Sequence, residues 1–214
     1  MEMEGVGDML KTILIYLVIG ASVGVVVAML DLPIYVVWII LIAFMLWSMG
    51  RIIYVSTAAT DLRAIEKFVD KHQKDPVYAY LHKLRDGTDD ELKDAVQQVL
   101  QKHKNGKYHA AYGMVSAMLE EDFEAAQRYN NVLLPEENGR YNATIIQILA
   151  GNELHIKEQF SKPWMNTSIE AHQAYMKRDA AYFRDLAQEA VEQTKGVQRY
   201  INHYSFQRMM DKLI

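Results

Sequence analysis

Two long uncharged runs near the amino terminus constrain this chain more than any other feature. Residues 12–30 carry no charge over 19 positions, and residues 34–55 carry only Arg51 over 22. A helix rises about 1.5 Å per residue, so either run is long enough to cross a hydrocarbon core about 30 Å thick. Within lipid the backbone has to satisfy its own hydrogen bonds, which a helix does. The spacing predicts a transmembrane hairpin over residues 12–55, with helices at about 12–30 and 34–55. Asp31 and Pro33 suit the turn, one as a cap and the other as a first-turn residue.

The first run is too long for a cleaved secretory leader, its start is acidic, and it leads straight into the second run. An uncleaved anchor is therefore expected. Lys11 precedes the hairpin. Arg51, Arg63, Lys67, Lys71 and Lys74 follow it, and the turn has neither Lys nor Arg. The positive-inside rule then places both termini in the cytoplasm and the chain in the cell membrane as a multi-pass protein. Residues 1–11 form a short cytoplasmic start. Gly20, Gly24 and Ala28 repeat every four residues and make a close-packing stripe. Its partner is the second helix of the same hairpin or, alternatively, another copy in a homo-oligomer. No ionisable residue falls in the middle of either run, which argues against a carrier or pump.

From Arg51 onward, 22 Lys and Arg stand against 23 Asp and Glu. This balance gives no basic field, so nucleic acid is not an expected partner. The chain has no cysteine, which removes disulfides and thiolate chemistry.

The remainder reads as helix throughout, with no convincing period-two alternation. A connecting helix is expected within residues 56–74, starting at Thr60-Asp61, and a helical domain over residues 75–214. Asp75-Pro76 is a cap followed by proline at the first helical position. Thr88 and Glu91 form a capping box, and Thr167 and Glu170 read as a second. Asn105-Gly106, Glu121-Asp122, Gly151-Asn152 and Arg178-Asp179 read as turns. A short helix is expected over residues 154–160, ended by Pro163.

Turns inside successive helix pairs fall near residues 88, 121, 152 and 179, at intervals of 33, 31 and 27. A period near thirty with two helices per unit marks an α-solenoid. Residues 111–135, AYGMVSAMLEEDFEAAQRYNNVLLP, resemble one tetratricopeptide repeat: small residues in the first helix, Asp122-Phe123 at the turn, Ala126 in the second helix and Pro135 at the close. Residues 174–192 look like a second copy. The resemblance covers residues 75–195 and implies a TPR-like solenoid whose first helices line a groove. On that basis His109, Ser116, Asn142, Gln147, Gln173 and Lys177 are the candidate partner-binding positions. An irregular helical bundle is the alternative.

The seven histidines show neither zincin nor di-iron spacing. His172 lies on an apolar stripe and reads as a core histidine. No phosphate loop, calcium loop or nucleophile elbow occurs. No catalytic residue, cofactor or metal ligand is expected, and the chain is not expected to be an enzyme. The expected function is that of a membrane-anchored adaptor that binds a protein or peptide partner, itself at the membrane. Alternatively, the chain is a structural accessory subunit acting through its hairpin in lipid.

Overall fold

A computed structural model describes residues 33–152 and 158–213. Among the described residues the chain is all-α, with ten helices and no strand. It divides into two units, residues 1–52 and 53–214.

The first helix, α1, spans Ile34–Thr57. Its mean hydropathy is 2.2 and none of its residues is buried. Trp38, Ile39, Phe44 and Leu46 each leave more than half of their surface open. A soluble protein rarely leaves so large an apolar surface uncovered. Among the described residues α1 is the one helix long and apolar enough to cross a membrane. The first expected span, residues 12–30, and the Gly20, Gly24 and Ala28 stripe lie outside the described residues.

From residue 53 the chain forms a helical domain. α1 ends at Thr57, and four residues later Asp61 caps α2 (Leu62–Lys71) by accepting the Arg63 amide at 3.0 Å. Asp75 caps α3 (Pro76–Asp86) in the same way, with Pro76 at the first helical position as expected. Thr88 and Glu91 complete the expected capping box at the start of α4 (Asp89–Lys102). Then follow α5 (Gly106–Leu119), α6 (Phe123–Asn130), α7 (Glu137–Leu149), α8 (Pro163–Met176), α9 (Ala180–Glu192) and α10 (Gly196–Leu213).

Three turns share one geometry. Glu121, Gly151 and Arg178 have φ of 57°, 77° and 57°. Each is followed by an amide that reaches back to the helix it leaves: Asp122 to Ala117 O at 2.9 Å, Asn152 to Gln147 O at 3.0 Å and Asp179 to Ala174 O at 3.0 Å. These are Schellman closures, in which a left-handed residue satisfies the last carbonyls of a helix. The three expected turns are therefore present as helix closures of one kind. The turn at residue 87 is different, because Gly87 is extended with φ of −88°.

Two local expectations fail. Pro163 opens α8 instead of merely ending a preceding helix, so Thr167 lies within α8 and caps nothing. Its hydroxyl donates to Gln193 Oε1 at 3.1 Å. A proline at the first helical position sets the start four residues upstream of the apparent box. Residues 158–160 are not helical, and residues 153–157 lie outside the described residues.

The path of α10 departs from a neighbour-only repeat array. It packs on α9, and it also returns to α2 and α3. Tyr200 donates to Leu81 O at 3.1 Å, Tyr204 to Glu66, and Arg208 to Gly87 O at 2.7 Å and to Asp89. Tyr200 and Tyr204 thereby join the cluster of Ile65, Val69, Leu81, Leu92 and Val96. Phe206, on another face of α10, joins Ala171, Phe183 and Leu186 in a second cluster. In a solenoid each repeat touches its neighbours alone, whereas here one helix bridges the two ends of the domain.

Candidate functional site

A third face of α10 carries Gln198, Ile201, Asn202 and Ser205. The spacing i, i+3, i+4, i+7 places these residues on one stripe. The stripe looks across an open interior towards α5, α7 and α8. Two spaces with shared lining residues lie there. An outer groove of about 570 Å³ is rimmed by Lys107, Tyr108, Glu136, Asn138 and Trp164. A smaller, half-open space of about 220 Å³ lies against Met114, Met118, Ile145, Ser168, His172 and Phe206. Tyr141, Asn142, Gln198 and Ile201 line both.

Tyr141 is the aromatic residue common to both. Its ring meets Trp164 edge-on at 5.2 Å and Phe160 at 6.0 Å. Its hydroxyl is 2.7 Å from Ser168 Oγ, and burial pushes its pKa up to about 12. Phe160 is held in place by Asn166, whose side chain bonds the Phe160 amide and carbonyl at 3.0 and 2.9 Å. This bracket holds Phe160 beside Tyr141 although residues 158–160 are irregular.

His172 is buried, as the apolar stripe predicted. Its Nδ1 lies 2.7 Å from Ser168 O. A carbonyl accepts only, so Nδ1 carries the proton and Nε2 keeps its lone pair. Burial lowers the His172 pKa to about 4, against a smaller opposing effect of the Ser168 carbonyl. At neutral pH the ring is uncharged. Asn202 is 6% exposed. Its Oδ1 accepts from Gln198 Nε2 at 2.8 Å, while its Nδ2 has no hydrogen-bond partner in the protein.

The six positions expected to bind a partner do not converge. Asn142 alone lines the interior. Gln173 and Lys177 line a separate space of about 350 Å³ with Glu170, Asp179 and Tyr182. Ser116 is buried and accepts from Gln97 Nε2 at 3.1 Å, so it holds α4 against α5. His109 bonds His103 O through Nδ1 at 3.0 Å and meets the Tyr129 ring. Gln147 is exposed, and its carbonyl closes the Gly151 turn. The sequence reading missed Tyr108, Trp164, Gln198 and Asn202. The signal lay in the polar stripe of the last helix, Gln198, Asn202 and Ser205, set between aromatic and apolar faces.

Ser168 is bonded by Tyr141, and His172 reaches the Ser168 carbonyl instead of its hydroxyl. The pair therefore lacks the nucleophile–base contact of acyl-transfer sites. Among the described residues no three His, Asp or Glu side chains come together to hold a metal ion. The arrangement is suited to binding. Protein-family models give no match to the chain, and curated proteins and solved structures give none either.

Proposed function

We propose that this chain is a membrane-anchored adaptor whose helical domain holds a segment of a protein partner in the outer groove. The observation that carries the reading is α1: 24 residues, mean hydropathy 2.2 and no buried residue, running without a break into Val55, which packs on the domain core. Such a helix is stable in lipid and unfavourable in water. It restricts the domain to a membrane surface, where a co-confined partner meets it at raised effective concentration. The groove rim supports the second half of the reading. Tyr108 is 59% exposed there, beside the Lys107–Glu136 ion pair and Trp164. Exposed aromatic residues next to charge are typical anchors of protein interfaces.

In this proposal the anchor is a two-span hairpin in the cell membrane with both termini cytoplasmic, and the domain is a TPR-like hairpin array closed by α10. The three shared turns support the array, and the flanking positive charge supports the orientation. The domain is read as an adaptor and not as an enzyme. The accessory-subunit alternative draws on α1 itself, whose large apolar residues from Ile34 to Tyr54 are exposed and open to lipid or to a partner helix.

Photo-crosslinking in the full-length protein at its membrane tests the reading. A benzophenone amino acid at Tyr108 should capture a discrete protein partner, and one at Tyr182, outside the groove, should not. Capture from α1 positions such as Phe44 with none from Tyr108 favours the accessory subunit. For orientation, Leu32→Cys and Lys104→Cys are treated with an impermeant thiol reagent on intact cells. Labelling at position 104 but not at position 32 overturns the cytoplasmic assignment.

A further inference from the structure

We propose that the exposed face of α2 is a docking surface for the anionic headgroups of the bilayer that α1 enters; this rests on the reading of α1 as a membrane span and not on the outer groove. By composition α2 is nearly balanced, with Arg63, Lys67 and Lys71 against Glu66 and Asp70. The fold separates the two signs. Ile65 and Val69 are fully buried and fix the inner face of the helix. At about 100° per residue, Arg63, Lys67 and Lys71 share an arc of about 80° on the opposite face, and all three are exposed. The acids have partners within the domain. Glu66 accepts from the Tyr204 hydroxyl. Asp70 accepts from Arg85 at 2.9 Å and lies 3.1 Å from His82 Nδ1. Asp61 is committed to the Arg63 amide. Among the described residues no carboxylate pairs with the Arg63, Lys67 or Lys71 side chain.

Like charges spaced i, i+4 on a helix repel one another. An anionic surface removes that repulsion and gains a factor of about five in affinity for each cation brought near it. The row from Arg63 to Lys71 is straight and about 12 Å long, so an array of headgroups meets all three cations at once, whereas a single free phosphate does not. Chain connectivity keeps the row near the bilayer. α1 has 24 residues and is therefore about 36 Å long, more than the core of about 30 Å. Arg51 lies within about two turns of its carboxyl end, where an arginine side chain reaches the headgroups. Thr57 ends α1 and Leu62 begins α2, a connection that cannot exceed about 18 Å even when fully extended.

The test uses the full chain in nanodiscs with the same lipid in both leaflets, so the direction of insertion does not matter. The chain has no cysteine, and Ala64→Cys, on the side of α2 that carries Lys67 and Lys71, takes a single nitrobenzoxadiazole dye. Quenching of the dye by headgroup-spin-labelled lipid reads docking. With about 30 mol% phosphatidylserine the ratio of quenched to unquenched dye should be at least about tenfold that in phosphatidylcholine alone. Lys67→Gln with Lys71→Gln should return it to the phosphatidylcholine level; Lys104→Gln with Lys195→Gln, two exposed cations elsewhere, should not. Salt at about 0.5 M should reverse docking in the parent and needs no charge variant. The same dye at Phe44→Cys reports α1. If that dye stays in water, the anchor reading fails and takes this proposal with it. If it enters the acyl region while the Ala64→Cys dye stays unquenched, the proposal alone is overturned, and the row is left to an acidic protein segment. Equal quenching in both lipids, or quenching unchanged by salt or by the Lys67 and Lys71 substitutions, also overturns it.

Discussion

The amide of Gly196 donates to the carbonyl of Ala59 at 2.7 Å, joining the start of α10 to the residues that follow α1. Gly196 has φ of 58°, and a Cβ placed on it would lie 2.1 Å from Ser56 O. Both features exclude any side chain. Gly196→Ala should destabilise the domain by about 1–2 kcal/mol from the left-handed backbone alone, with the collision adding more. Thermal unfolding of the full chain measures this. A variant that melts with the parent would mean that the contact is not held in solution.

His172 makes the domain sensitive to acid. Its pKa is about 4 in the folded state, against an ordinary value of 6.5. Above pH 6.5 the ring is neutral in both states and its stabilising effect is complete. As pH falls below 6.5 the unfolded chain takes up the proton first, and stability is lost until pH reaches about 4. At 1.36 kcal/mol per pKa unit the loss comes to about 3 kcal/mol. Burial also lowers the His203 pKa, which acts in the same direction. Urea unfolding between pH 7 and pH 4 should show the decline, and His172→Leu should flatten most of it. An unchanged slope in that variant would assign the loss to other groups.

Arg178 holds a left-handed backbone that glycine adopts without penalty. Arg178→Gly should therefore raise stability by up to about 1 kcal/mol, and Glu121→Gly should behave alike. A fall in melting temperature for both would show that the side chains contribute more than the backbone strain.

Leu186 is buried between α9 and its neighbours, in the cluster that includes Phe183 and Phe206. Leu186→Ala should cost about 2–5 kcal/mol through the cavity it leaves. Denaturant midpoints at constant slope would measure it, and an unchanged midpoint would contradict the packing.

What could be read from the sequence was local. Asp75-Pro76, the Thr88–Glu91 box and the left-handed turns were legible because each cap is formed by residues a few positions apart. The same locality produced the error at Thr167, where a capping pattern recurs inside a helix already begun by Pro163. The return of α10 was not legible, since Tyr200, Tyr204 and Arg208 find their partners 119, 138 and 121 residues away. The composition of the interior was illegible for the same reason. Gln147, Ser116 and His109 were chosen as if the first helices bordered an open groove, whereas α10 supplies one wall of the interior.

That return of the last helix also sets an order on synthesis. Ile65, Val69 and Leu81 share their cluster with Tyr200 and Tyr204, which leave the ribosome some 120 residues later. Until then the α2–α3 surface is incomplete and open to chaperones or to misassociation. In a nascent chain the α2–α3 surface waits for α10 to arrive and close it. A premature stop before Gly196 therefore leaves that core without Tyr200 and Tyr204, and open.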